Sequence, residues 1–374
     1  LKKDVFILRK VKIGIIGCGN ISGIYFENLT KTFVNTEVYA CADVLLDRSS
    51  SAAEKYGIPK VLSTEELLLC EDIEIVVNLT IPKVHFQVCK AALLANKHVY
   101  VEKPLSLTLE QGNELISLAK ERNLMIGAAP DTFLGAGLQT CRKLIDDGFI
   151  GEPVAATAFM TCHGHESWHP DPEFYYKAGG GPMFDMGPYY ITALVSLLGE
   201  AETVCGMTKK SFQQRTITSA KKFGEVIDVE VPTHVAGTIN FKNGTIATMI
   251  TSFDIWSSTL PRIEIYGSLG TLIVPDPNTF GGPVLLKITK GKEFLEIPLT
   301  HSYDENSRGI GVSDMANCIL EGGKPRACGE LANHVLEIMH GFHISSDSKV
   351  YYDLKTSCEQ PEALSLGLIK GYVK

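Results

Sequence analysis

Gly17-Cys18-Gly19-Asn20-Ile21-Ser22 directly follows the apolar run Val11–Ile16. Glycines so spaced between a strand and a helix permit a tight turn. They also let the backbone approach a pyrophosphate, which the helix N-terminus favours electrostatically. The third glycine position holds Ser22, with Gly23 next to it. Asp43 ends the following strand-like run, Glu37–Ala42. A carboxylate there accepts hydrogen bonds from the adenosine ribose hydroxyls and repels a 2′-phosphate, which favours NAD over NADP. Arg48 is near enough in sequence to soften that preference, so NADP stays open. The same residues also fit a plain tight turn with a loop acid. Further along, Asp185 and Tyr189 stand four residues apart at a helix start and project from one face. Asp185 also suits a helix cap, and Tyr189 a packed aromatic. His163 and His165 project from one side of a strand, with Glu166 and His169 following. Zinc takes such ligands, though solvent exposure or a binding role fits the segment as well.

The elements that carry the first group alternate. Apolar strand-like runs at 11–16, 37–42, 74–79, 98–101 and 124–127 are separated by helical patterns at about 20–32, 49–56, 84–95 and 108–122. Ser63-Thr64-Glu65-Glu66 and Thr108-Leu109-Glu110-Gln111 match capping boxes. Strands alternating with helices predict βαβ units and a doubly wound parallel sheet, covering residues 10–128.

After Ala129 the pattern changes. Helices are expected at about 138–147 and 185–198, and alternating β-branched runs at 154–161, 231–241, 245–253, 263–266, 271–274, 285–289 and 294–297. Asn243-Gly244 marks a hairpin, and Lys290-Gly291-Lys292 suggests another. Two late helices, at about 311–321 and 330–343, are expected to close the second domain. The fold class is therefore α/β: a Rossmann domain, then an α+β domain over residues 129–374 with a large, mainly antiparallel open sheet.

Composition narrows the partners. The chain has 374 residues and a formal charge of −8, with no Lys/Arg cluster, so nucleic acid is not expected. No apolar run approaches the roughly 18 residues of a membrane span, and residues 5–8 are too short a run for a signal peptide. The ten cysteines are scattered without a C-x-x-C pair, which favours free thiols in a reducing cytoplasm.

Thr80-Ile81-Pro82-Lys83-Val84-His85, then His98-Val99-Tyr100-Val101-Glu102-Lys103-Pro104, Gly148–Pro153, and Gly179-Gly180-Gly181-Pro182-Met183-Phe184-Asp185-Met186-Gly187-Pro188-Tyr189 occur in that order. Together they resemble the Gfo/Idh/MocA family of NAD(P)-dependent oxidoreductases, from about Lys12 to Leu354. The resemblance implies a cofactor site at Gly17, Gly19, Asn20, Ile21, Asp43, Thr80, Pro82, His85, Glu102 and Lys103. It implies a cis bond at Lys103-Pro104, with the lysine held at the carboxyl edge of the sheet, where ligands of doubly wound folds sit. The implied reaction moves a hydride between nicotinamide and a secondary hydroxyl or ketone of a sugar, glycoside or cyclic polyol. Lys103 would stabilise the alkoxide and relay a proton, with Asp185 orienting the hydroxyl or the lysine.

Many family members carry His where this chain has Tyr189, so the identity of the base is open. Tyrosine titrates near 10 and needs a neighbouring cation to serve as one. The glycine run 179–181 is expected to bring the helix close to the cofactor. His165, Trp168 and His169 fall where the family has substrate-lining loops, and Trp168 suits either the apolar face of a sugar ring or packing in the core. Asp131 replaces an arginine-containing stretch common in the family, so it would accept sugar hydroxyls, and no metal is expected. A homodimer or homotetramer through the second domain's sheet is expected as well. The family also contains redox-neutral NAD-dependent glycosidases and non-catalytic NAD-binding regulators. Release of reduced cofactor separates the glycosidases, and any turnover separates the regulators.

Overall fold

A computed structural model describes residues 9–374, so the short apolar stretch at 5–8 lies outside the described residues. The chain divides into two compact units. The first takes the residues up to Gly135 together with His301–Ala332 and Leu364–Lys374; the second takes Ala136–Thr300 and Asn333–Ala363.

The first unit opens with β1 (Val11–Ile16), α1 (Ser22–Glu27), β2 (Thr36–Ala42), α2 (Leu46–Tyr56), β3 (Lys60–Val61) and α3 (Thr64–Leu69). It continues with β4 (Ile75–Asn78), α4 (Pro82–Leu94), β5 (His98–Val101), α5 (Leu109–Glu121) and β6 (Ile126–Ala128). Its six strands are parallel in the order β3-β2-β1-β4-β5-β6, the doubly wound arrangement expected from the alternating pattern. That order reverses between β1 and β4, so the turns after these two strands flank the switch point where such sheets hold ligands. The strands are apolar on both faces because helices flank them. Ile16, Val76, Val99 and Val101 join Leu93, Leu115 and Ala119 in one core. Ser63 and Glu66 form the anticipated reciprocal cap on α3. Thr108 makes half of the second box, accepting from the Gln111 N–H. The expected first helix is α1 followed by a π-helical turn, Asn28–Thr32.

The second unit contains α6 (Ala136–Asp146), β7 (Pro153–Thr161), α7 (Gly181–Leu198), β8 (Ala201–Lys209), β9 (Gln214–Thr216) and β10 (Val226–Asp228). It continues with β11 (His234–Phe241), β12 (Ile246–Ser252), β13 (Ile263–Gly267), β14 (Gly270–Val274), β15 (Val284–Ile288) and β16 (Leu295–Ile297). Farther along the chain, α8 (Ile310–Glu321) falls in the first unit, followed by α9 (Gly329–Ser348) and β17 (Tyr352–Asp353). Nine strands form one sheet in the order β16-β15-β14-β13-β7-β12-β11-β8-β17, and β9 pairs with β10 in a separate hairpin. All its pairings are antiparallel except β7 with β12 at the centre. The turn at Asn243-Gly244 joins β11 to β12, and Lys290-Gly291-Lys292 lies between β15 and β16, as the sequence indicated. Helix α7 is buried along most of its length and packs on β7, β11 and β12.

One expectation is overturned. Helix α8 does not close the second domain; it belongs to the first unit and packs on β1 and β6. Asp131 is part of the reason. Its buried carboxylate accepts the N–H groups of Gly309 at 2.8 Å and Gly311 at 3.1 Å, at the start of α8. Asp131 is thus an anchor for a helix N-terminus and not a hydroxyl acceptor on the surface.

Burial pushes the Asp131 carboxyl up from 3.8 to about 6, against the opposing pull of the Gly311 N–H, the Arg308 charge and the Gly309 N–H. The native state therefore keeps a proton that the unfolded chain releases, so this group's contribution to stability falls as pH rises from about 4 to about 6. The loss is on the order of 3 kcal/mol. Urea unfolding of wild type and Asp131→Asn across that range should show the wild-type stability falling relative to the variant. A constant difference would contradict the burial argument.

Candidate active site

In the first unit, the turn after β1 has the geometry a dinucleotide needs. Gly17 has φ +99°, and a Cβ there would lie 2.7 Å from the Leu79 carbonyl carbon, so only glycine fits. A Cβ on Gly19 would meet nothing within 4 Å, which leaves open space over the turn. Asn20 and Ile21 are exposed beside it. Asp43 sits at the end of β2 and is already engaged. Its Oδ2 accepts the Cys18 N–H at 2.7 Å and its Oδ1 the Leu45 N–H at 2.8 Å. Each oxygen keeps a second lone pair for a ribose hydroxyl. The open turn and the strand-end acid therefore fit what a dinucleotide would need, space for a pyrophosphate and an acceptor for a ribose.

The neighbouring strand ends are braced from within. Asn78, at the end of β4, accepts the Thr80 hydroxyl at 2.6 Å and donates to the His85 carbonyl at 3.2 Å. Pro82 is the first residue of α4, where a missing N–H does no harm. The Lys103-Pro104 bond is cis, as the resemblance implied. Lys103 is half-buried just beyond β5.

Two expected cofactor contacts turn inward. His85 is buried, with Nδ1 2.7 Å from the Pro104 carbonyl and Nε2 3.0 Å from that of Thr80. Burial lowers its pKa, against the opposing pull of the two carbonyls. It ties the turn after β4 to the turn after β5 and offers no nitrogen to a ligand. Glu102 accepts the Tyr25 hydroxyl at 2.8 Å and the Lys103 N–H at 2.9 Å, so it holds the Lys103 backbone from behind.

In the second unit, the structure brings Asp185 and His165 together. His165 Nε2 lies 3.1 Å from Asp185 Oδ2, with the two side chains 12% and 17% exposed. The imidazole packs edge-on against Tyr175, Phe253 and Trp168. Helix α7 starts at Gly181, four residues before its expected start, so Asp185 lies inside the helix and is not its cap. Tyr189 follows one turn later and is buried. The glycine run allows a close approach within the unit. A Cβ on Gly180 would lie 2.5 Å from the Phe174 carbonyl oxygen and 2.7 Å from that of Tyr175, so the run lets the entry to α7 lie on the aromatic segment 174–175. Trp168 is 61% exposed, which excludes the core-packing role. His169 Nδ1 accepts the Asp171 N–H at 3.0 Å and its ring packs on Phe174 and Tyr175, so it shapes the segment.

Nothing in the local sequence marks Arg215. It is buried, and it pairs with Glu166 at 3.1 Å and Asp254 at 2.6 Å while donating to the Phe253 carbonyl and to His163 Nε2. Tyr176 donates to Glu166, and Thr233 to Asp254 at 2.7 Å. His163 stacks on Trp256 at 3.4 Å between ring centres. Arg215 is carried by the β9–β10 hairpin, whose connecting residues also bind the segment. Thr218 and Ser219 donate backbone N–H groups to the Glu166 carbonyl, and Lys221 pairs with Asp171. His163, Glu166 and His169 are thus engaged in contacts that hold the segment. Among the described residues no group of three or more His, Cys, Asp or Glu side chains is set to hold a metal ion.

A parallel sheet of this order with a glycine turn and a strand-end acid defines a dinucleotide-binding enzyme. Residues 11–129 match the profile of an oxidoreductase family with an NAD-binding Rossmann fold, and residues 138–273 match the Gfo/Idh/MocA C-terminal domain. The chain belongs to the Gfo/Idh/MocA family and is an NAD-binding oxidoreductase. It is 26% identical over 263 residues to myo-inositol 2-dehydrogenase of Thermotoga maritima, covering 70% of this chain and 74% of that one. It is 27% identical over 331 residues to 1,5-anhydro-D-fructose reductase of Ensifer adhaerens, covering 85% and 90%. Levoglucosan dehydrogenase, solved in complex with NADH and L-sorbose, shares the fold with a TM-score of 0.78 over 93% of this chain and 100% of that one, at 19% identity.

Removing Arg215 would leave the buried carboxylates of Glu166 and Asp254 without their cation. Arg215→Ala should lower unfolding stability by about 3–5 kcal/mol, measured by denaturant titration. A loss below about 1 kcal/mol would show that the cluster does not hold the segment.

Proposed function

We propose that the protein oxidises a secondary hydroxyl of a neutral polyhydroxylated ring, a cyclic polyol, sugar or glycoside, with NAD preferred to NADP. The observation that carries the neutral substrate class is the pairing of Arg215 with both Glu166 and Asp254. Arg215, buried against the candidate substrate segment between β7 and α7, is neutralised internally, so the segment offers imidazole, indole and hydroxyl groups rather than a site for an anion. The relatives support the class, since inositol, anhydrofructose and levoglucosan are neutral and polyhydroxylated.

When bound, the oxidised nicotinamide accepts the hydride of the carbinol carbon. The chain's own groups do the rest. Gly17, Gly19 and Asp43 hold the dinucleotide, with Asn20, Ile21, Thr80 and Pro82 around them. Lys103 holds the hydroxyl oxygen and stabilises it as it becomes an alkoxide. Asp185 and Tyr189 on α7 bind the reacting hydroxyl and its neighbours, and Trp168 stacks on the ring's apolar face. The nine-stranded sheet leaves Met207, Ile246 and Val154 exposed, which suits pairing with a second copy of the chain in a homodimer or homotetramer. All ten cysteines are free, which supports a cytoplasmic setting.

A spectrophotometric screen of NAD and NADP against myo-inositol, levoglucosan, 1,5-anhydro-D-glucitol and methyl β-D-glucoside tests the reading. The expected result is reduced cofactor from at least one of them, with kcat lowered about 10²-fold or more by Lys103→Ala. Wild-type activity in that variant would remove the lysine from the chemistry. Asp43→Ala weakens both cofactors because Asp43 also braces the Cys18 N–H, but it should weaken NAD about ten-fold more than NADP. A variant that loses NADP preferentially would overturn the cofactor preference.

A further inference from the structure

Oxidising an alcohol breaks a C–H and an O–H bond and forms a C=O bond. The hydride, with its two electrons, passes to the oxidised nicotinamide, and the proton needs an acceptor on the protein. Tyr189 is a poor acceptor near neutral pH because a phenol ordinarily titrates near 10. Imidazole is the side chain whose ordinary range spans neutral pH. The second unit holds one imidazole paired with an acid on the same helix as Tyr189: His165, with Nε2 3.1 Å from Asp185 Oδ2.

We infer that His165, oriented by Asp185, is the proton acceptor of the reaction, and that Tyr189 serves as a hydrogen-bonding group for the hydroxyl. This rests on the dehydrogenase reading above. The carboxylate selects the tautomer: Asp185 accepts from Nε2–H, so the lone pair of the neutral ring is at Nδ1. When Nδ1 takes the hydroxyl proton, the resulting imidazolium is stabilised by the same carboxylate, and Asp185 has no need to leave its charged form.

The surroundings favour a fixed base. Tyr175, Phe253 and Trp168 close on the ring edge-on, which holds its plane. The titratable groups facing His165 are Asp185 from α7 and Tyr175 from the segment before α7. The adjacent Glu166 is held by Arg215 and Tyr176. His163 is not an equivalent candidate, because its Nε2 faces the Arg215 guanidinium and its ring stacks on Trp256. With about one-eighth of its side chain exposed, His165 can pass the proton on to water.

The test compares wild type, His165→Gln, His165→Ala and Tyr189→Phe on the substrate panel above, with NADH binding measured by fluorescence titration. Glutamine at 165 keeps a donor for Asp185 but has no basic nitrogen. His165→Gln should bind NADH as wild type does, lose about 10²-fold or more in kcat, and lose the acid limb of the kcat/KM profile. Free imidazole should restore at least ten-fold activity to His165→Ala, which a structural role would not allow. Tyr189→Phe should keep the acid limb. A readout independent of turnover is the 15N spectrum of histidine-labelled protein, in which neutral His165 should carry its proton on Nε2. Wild-type kcat and pH profile in His165→Gln, or a proton on Nδ1, would overturn this inference and leave the dehydrogenase reading standing. Absence of turnover by wild type across the panel would overturn both.

Discussion

A backbone N–H donated to a carboxylate is the interaction on which the first unit depends. Loops at the carboxyl edge of a parallel sheet leave polar backbone groups without strand partners, and such groups must be satisfied if the loops are to keep one shape. Asp43 takes the Cys18 and Leu45 N–H groups, Glu102 takes that of Lys103, and Asp131 takes those of Gly309 and Gly311. The three acids fix the glycine turn, the lysine backbone and the start of α8 respectively. An acid used in this way does two things at once at Asp43, where the brace and the proposed ribose contact share one carboxylate. Glu102 and Asp131 are buried, so their carboxylates brace from within.

The second unit solves a different problem. Its candidate substrate segment, between β7 and α7, is long and irregular, and it is made firm by a cation instead of by an acid. Arg215 reaches from the β9–β10 hairpin to Glu166 and Asp254, and the hairpin's Ser219 donates to the His169 carbonyl at 2.8 Å. Held this way, the segment can present His165 and Trp168 at fixed positions, which proton transfer and ring stacking both require.

Much of the fold was legible because it rests on local signals. Buried parallel strands read as apolar runs, the Ser63–Glu66 cap reads from two residues, and the switch-point turn reads from Gly17, Gly19 and Asp43. What was not legible depends on partners remote in sequence. Asp131 looked like a free acid because its donors lie 178 and 180 residues away. The β9–β10 hairpin carries no strand signal because Gln214, Arg215 and Thr216 are polar, and nothing local marks Arg215 as buried. Strand β8 was missed because Gly206 interrupts its pattern; the Phe342 carbonyl of α9 lies 2.5 Å from where a Cβ would stand. At the candidate site the residue types were readable and their pairings were not. His165 and Asp185 were singled out separately, and only the structure joins them.

The most direct measurement is of the hydride itself. Incubation with NAD and ring-carbon-deuterated myo-inositol or levoglucosan, followed by mass spectrometry of the cofactor, reports whether the carbinol hydrogen moves. The account predicts deuterium in the reduced cofactor, accumulating in step with the ketone. Conversion of substrate with no deuterium in the cofactor pool, or cofactor binding with no conversion of either compound, would contradict it.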